Sequence, residues 1–474
     1  MGELAEANSL LGQLQRGRGA GFRRAVRAEP RAIHPLLVAC VTQDPRWDRQ
    51  IEPRGDYYAS LILHTALPLD LLDAHLRVLA EVDPHNPNDL VLGTLRALAE
   101  RRYTPAVAIM RAYLIYGEYW GTALEVLIDG RDNAIAVDEV GRIIDRRFPE
   151  DEVLDEELPS PWWNTHTRPE PWRSLGRVNP RVDRILGAHE AEEQHRQQRQ
   201  DHARATFAAL SARQLLVADI DHAHARLAAL ALQERASTDD LNPLLDTAQR
   251  GEFWQRFVAF RGLERLADPA AFPILHAFFE APGEQPVALY GAAVRAIAAL
   301  PAAVTLDLAR AWFDAADGVH RHVALRILKA HATVADVSRV RAALLPSLCR
   351  DTPDTNECYM QCDMLEILAR FPTCGPYPEA TTVFEEAGYS RTRVYAAAVL
   401  AGSDRSHFAG GVAVDCLWDC EERVRQIGCE RVDVGQPDAS GRLHALARDP
   451  FEDEDVRAAA KERLASANAS DVQE

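Results

Sequence analysis

LARDPFEDEDVRAAAKERL, residues 446–464, decides the fold. The stretch leaves Leu446, turns through acidic residues at Asp449-Pro450, and enters an alanine-rich helix at Val456-Arg457. Ala459, Ala460 and Leu464 then share one apolar face. Looser copies are Leu417-Asp419-Val424-Arg425-Ile427, Asp317-Val323-Ala324-Ile327 and the stretch around Arg393-Val394-Ala397-Leu400. With two weaker copies, the equivalent positions fall near Val258, Ala292, Val323, Cys362, Val394, Val424 and Val456. The successive steps are 34, 31, 39, 32, 30 and 32 residues. Such a period predicts stacked helical hairpins, each dependent on its neighbours to bury its apolar face.

Working outward, the 474 residues are 47% hydrophobic and 26% charged, the balance of a folded chain. The formal net charge of −18 argues against wrapping a nucleic acid, whose affinity for proteins comes largely from cations. Of 53 basic residues only Lys329 and Lys461 are lysines. Arginine favours bidentate carboxylate pairing, so the recurring Asp-to-Val-Arg phrase predicts Asp-Arg ladders between repeats. No apolar run reaches the roughly 18–20 residues a membrane span needs. Met1 to Gln15 lacks the pattern of a secretory signal, so a cytoplasmic chain with unpaired thiols is expected.

The chain divides by composition. Residues 1–150 read as a diverged helical-repeat array, with Thr104-Pro105 opening one helix and Trp120, Leu124 and Leu127 marking another. Residues 151–205 read as an acidic, proline- and tryptophan-bearing connection and the start of a polar linker helix. Five of the seven residues Asp151–Glu157 are acidic, and Pro159, Pro161, Pro169, Pro171 and Pro180 follow, so an extended path is expected up to about residue 185. Residues 206–464 hold the C-terminal repeats, clearest from Phe253, with apolar stripes such as Val319-Val323-Ile327-Ala330; residues 465–474 read as a frayed tail.

The phrase Asp449-Pro450, Val456-Arg457, Ala459-Ala460 resembles the bacterial HEAT-like repeat, including the variety named after phycobilin lyases. The resemblance covers about 253–464, and more weakly 58–147, and implies an all-α solenoid of stacked HEAT-like hairpins. It speaks to architecture rather than activity. Deoxyhypusine hydroxylase-like relatives hold iron with repeated His-Glu pairs, and this chain has that dipeptide only at His189-Glu190. HEAT-like alkylpurine glycosylases need a basic concave surface, against the net charge here. Bilin lyases share the fold class, but no residue pattern marks a tetrapyrrole site.

Four groups of residues compete as sites. Cys358 and Cys362, like Cys416 and Cys420, are four apart and share a helix face, so the four could surround zinc; core thiols fit the spacing better. His189, His195, His202, His222 and His224 fit a solvated linker helix more simply than a metal site. Trp162, Trp163, Trp172 and Arg173 have the composition of a partner-binding anchor. The competing reading has these rings pinning the connection internally. Arg16, Arg18, Arg23, Arg24, Arg27 and Arg31 form a basic run suited to an acidic partner or to a solvated capping helix. Within it, Gly17-Arg18-Gly19-Ala20-Gly21 lacks the strand and lysine of a phosphate loop.

The sequence therefore predicts a non-catalytic scaffold or adaptor that binds a basic protein partner in its concave surface, with no cofactor and no membrane. The alternative is a HEAT-like enzyme or small-molecule or metal binder that uses a groove between the two arrays.

Overall fold

The structure, a computed structural model, describes residues 4–471 apart from 83–88, 129–132, 159–169, 219, 282–285, 315–317 and 349–354. Every regular element among them is a helix, and none is long and apolar enough to cross a membrane. The chain forms two compact units. One comprises Met1–Ala191, Ala343–Leu365 and Pro372–Glu474; the other comprises Glu192–Ala342 with Glu366–Phe371.

In the second unit the helices His222–Arg235, Phe253–Leu266, Val287–Ala299 and Gly318–His331 pack in succession, each against the next. The last three are each preceded by a helix that packs on them: Leu241–Arg250, Phe272–Glu280 and Ala302–Asp314. Small residues at the contacts, such as Ala259, Ala292, Ala293 and Ala324, are fully buried and let the backbones approach closely. The expected stripe Val319-Val323-Ile327-Ala330 is corrected. Val319 and Ala330 are exposed, and the buried face runs through Val323, Ala324, Leu325, Ile327 and Leu328. The helix points its face about one position away from a strict four-residue ladder because 3.6 residues make a turn.

Asp336 locks this unit at the start of helix Val337–Leu344. Arg310 donates to both of its carboxylate oxygens, at 2.7 and 3.2 Å, and Thr333 donates its backbone N–H and hydroxyl at 2.9 and 3.0 Å. Burial raises the carboxyl pKa, but these donors outweigh it and leave it below the usual value. A depressed folded-state pKa contributes stability at pH values above the ordinary carboxylate range and loses it as pH falls through the folded value. Asp336→Asn is therefore expected to cost about 1.5–3 kcal/mol near neutral pH. Urea titrations at descending pH should show that gap closing as the native carboxylate itself becomes protonated.

The first unit has a continuous core from Leu14 to Leu186, joined by Cys420. Near the C-terminus, Ser390–Ser403 packs on Glu422–Arg431, which packs on Glu454–Asp471; Ala439–Arg448 forms a hairpin with the last of these. Here the repeat register becomes exact in side-chain terms. Thr392, Val424 and Val456 are the buried equivalents, 32 residues apart, whereas Val394 is only half-buried. With Thr392 in place of Val394 the last two steps become equal, and the step of 30 moves to the one that starts at Cys362. The following arginines form the expected ladder. Arg393 grips Asp419 with two bonds of 2.9 Å, and Arg425 grips Glu452 with bonds of 3.0 and 2.6 Å.

Pro159, Pro161 and Pro169 lie outside the described residues; on either side of them the acidic, proline-bearing stretch differs from the extended path expected of it. Asp151–Glu157 is a helix, with Leu154 and Leu158 buried and Asp151 bonded to Arg181 and Arg184. Acidic residues in its first turn suit the positive end of the helix dipole. Trp172–Val178 is helical too, and Pro180 opens the 30-residue helix Pro180–Ala209. Prolines at 171 and 180 stand at helix entrances, where a missing N–H breaks no bond. At the other end, the helix from Glu454 continues to Asp471, past the point where fraying is expected.

The boundaries at 150 and 206 mark changes of composition. In the contacts, residues 206–342 lie in the second unit, while 372–464 lie in the first with the N-terminal residues. The basic run explains this joint. Arg16 donates to the carbonyl of Glu386 at 3.1 Å and Arg18 to that of Glu385 at 2.8 Å. Arg23 pairs with Asp415 at 2.7 Å, and Arg27 pairs with Asp438. These four arginines bind their own chain, while Arg24, Arg27 and Arg31 are exposed. Gly17, at φ +68°, accepts the Cys420 N–H at its carbonyl oxygen, at 2.9 Å, and a Cβ there would lie 2.4 Å from Cys420 Sγ. A Cβ at Gly19 would lie 1.7 Å from the carbonyl oxygen of Asp415. The glycines are spacing devices at a close backbone approach.

Candidate functional site

Beside this joint lies a pocket of about 300 Å³, at the small end of ligand-binding cavities. Its walls come from three separate segments. Trp47, Asp48 and Arg49 belong to a non-helical stretch, Cys358 and Tyr359 to helix Thr355–Ala369, and Tyr389 to the entrance of helix Ser390–Ser403.

One buried carboxylate ties two of these walls together. Glu52 Oε1 accepts the backbone N–H groups of Trp47 at 2.6 Å and Asp48 at 3.1 Å. Its Oε2 accepts the N–H of Ser390 at 3.0 Å and Arg54 Nη2 at 2.5 Å. Arg54 also donates to the carbonyls of Gln15 and Gly388. Burial lowers the Arg54 guanidinium pKa and Glu52 raises it, with a net rise, so the guanidinium keeps its charge in the interior. Such a pair is expensive to desolvate and holds position only when its remaining bonds are satisfied.

The three rings contact one another. Trp47 and Tyr389 lie nearly parallel, with centroids 6.2 Å apart, and Tyr359 stands at 89° to Tyr389 at 6.0 Å. Burial pushes the Tyr389 phenol pKa up, and Tyr359, Cys362, Asp48 and Glu52 push it further, so it stays protonated. Asp48 accepts Gln50 N–H at 3.0 Å and lies 3.5 Å from the Tyr359 hydroxyl. Arg49 Nε lies 3.4 Å from Asp44, whose carboxylate also takes two bonds of 2.9 Å from Arg46. Three aromatic rings, an acid and a base on a fixed frame are equipment for holding a ligand.

The residues singled out in the sequence are distributed elsewhere. Trp162 and Trp163 lie outside the described residues. Trp172 is buried, its ring at 76° to that of Trp120 with centroids 5.5 Å apart, which is internal packing rather than an exposed anchor. Arg173 is exposed. Cys358 and Cys362 are buried beside Tyr389. Cys416 and Cys420 are buried at the joint, where desolvation pushes the Cys416 thiol up and that of Cys420 to about 12. These environments favour neutral thiols over thiolate ligands. Among the described residues no group of three or more His, Cys, Asp or Glu side chains is placed to hold a metal ion. Two of the histidines have acidic partners of their own, His189 with Asp155 at 2.5 Å and His224 with Asp221 at 2.7 Å.

Sequence reasoning missed Trp47, Asp48, Tyr359 and Tyr389. The one local signal was Pro45-Arg46-Trp47-Asp48, an aromatic residue within a turn-like, charged stretch. The three walls are more than 300 residues apart at their extremes, as the Asp48–Tyr359 separation of 311 shows, so no motif could join them. No protein-family model, curated protein or solved structure matches this chain.

Proposed function

We propose that the chain is a non-catalytic binding protein, a scaffold of stacked HEAT-like hairpins that grips a basic partner protein in its concave surface. The supporting observation is how its buried charge is used. Arg393 with Asp419 and Arg425 with Glu452 each tie a helix to the turn that leads into the next. The local pair Arg54 with Glu52 bonds onward to the Gln15 and Gly388 carbonyls and the Ser390 N–H, and the preformed pocket sits on that frame. Rigid placement of recognition groups limits the ordering cost of binding. The net charge of −18 favours steering of a cationic partner.

The test is native mass spectrometry of the chain isolated gently from its own cells, followed by reconstitution with any purified partner. A discrete, metal-free complex is expected, re-forming from pure components with an association rate that falls as salt is raised. A lone chain carrying zinc, iron or a chromophore would overturn this reading. The alternative, a HEAT-like enzyme or a small-molecule binder, draws support in its small-molecule form from the pocket. That pocket lies within the first unit, and its walls come from both sequence-defined arrays, residues 1–150 and 206–464.

A further inference from the structure

We propose that the Trp47–Tyr359–Tyr389 pocket binds an alkylated ammonium group, with Asp48 as its counter-charge. The inference goes beyond partner binding, because the pocket can take this group from a protein side chain or from a free amine. Three observations carry it.

The first is the lining. All three aromatic residues of the pocket are large π systems, whose electron-rich faces attract cations. The second is their arrangement. Trp47 and Tyr389 already touch, at 6.2 Å and 11° between planes, which leaves no slot for a planar guanidinium. Tyr359, at 89° to Tyr389, makes a corner instead, and a rounded cation meets rings set at right angles better than a flat one does. The third is charge. Asp48 lines the pocket, where among the described residues its carboxylate accepts a backbone N–H and a long phenol contact. Arg49, also in the lining, is exposed at the rim and shares Asp44 with Arg46. Glu52 fixes the Trp47 and Tyr389 walls by hydrogen bonds, so the corner exists before any ligand arrives.

The experiment titrates the full chain with choline and with 3,3-dimethylbutan-1-ol, its uncharged isostere, and reads tryptophan fluorescence and calorimetry. Choline should bind about tenfold or more tightly than the isostere, the margin expected of a desolvated cation–π contact. Tyr359→Ala and Asp48→Asn should each weaken choline binding by about five- to tenfold at an unchanged melting temperature. Tyr359 is 42% exposed, so its loss should leave the fold intact. A peptide carrying trimethyllysine separates the sources: tenfold tighter binding than choline assigns the group to a protein, and equal binding assigns it to a small amine. Equal affinity for choline and its isostere, absence of binding by either, or choline binding unaffected by both variants would overturn the proposal. Because these probes are small, their failure leaves the partner-isolation experiment standing, and the reverse also holds.

Discussion

Arg393→Met is expected to destabilise the first unit by about 3–5 kcal/mol, because it strands a buried carboxylate without its cation. Arg393 is completely buried and bonds both oxygens of Asp419, itself 2% exposed. Burial lowers the guanidinium pKa, Asp419 and the surrounding groups more than restore it, and the guanidinium stays charged. The double variant Arg393→Met with Asp419→Leu should recover most of the loss, since a well-packed apolar pair of similar volume is often as stable as a buried ion pair. Denaturant unfolding of both variants distinguishes this from a simple packing defect. A double variant no better than the single one would mean that the ladder acts through the rest of its network, including Cys420 Sγ at 3.3 Å from Arg393 Nη2.

The second large effect concerns Gly19. Gly19→Val should cost about 3 kcal/mol or more, at or above the usual range for overpacking, because the clash is with backbone. The added Cβ would meet the Asp415 carbonyl oxygen at 1.7 Å and Asp419 N at 3.2 Å. Hydrogen exchange should report loss of protection both in helix Gly19–Arg27 and around Cys416–Cys420, since the two surfaces can only part together. Gly93→Ala is the control. A Cβ there meets nothing within 4 Å in the middle of helix Leu90–Glu100, so alanine should stabilise by about 0.5–1 kcal/mol. A gain at Gly93 with no loss at Gly19 would show that helix propensity, rather than close approach, governs the joint.

The helices were legible because each carries its own periodicity. Val456-Arg457-Ala459-Ala460 announces a helix, and the same phrase one repeat earlier announces the ladder arginine at Arg425. Register within a degenerate copy was not legible. Thr392 replaces the expected valine, and only its burial reveals which residue faces inward. Within the basic run, Arg24, Arg27 and Arg31 are exposed as a solvated helix face requires, but local sequence shows the charge of Arg16 and Arg18 without the Glu386 and Glu385 carbonyls they meet. The candidate pocket was invisible for the same reason. Trp47 and Tyr389 share a wall through Glu52, and nothing near Glu52 in sequence points to Ser390.

The joint also has a consequence for biosynthesis. Arg16 finds the Glu386 carbonyl 370 residues later in the chain. At typical elongation rates of about 5–20 residues per second, the glycine- and arginine-rich start waits roughly 20–70 s for the surface it is shaped to meet. During that interval its guanidinium groups remain hydrated while Phe22 and Leu14 lack part of their eventual neighbourhood. Completion of the first unit is therefore a late event on the ribosome, and the segment between residues 12 and 25 is where a nascent-chain chaperone or a protease would have its longest opportunity.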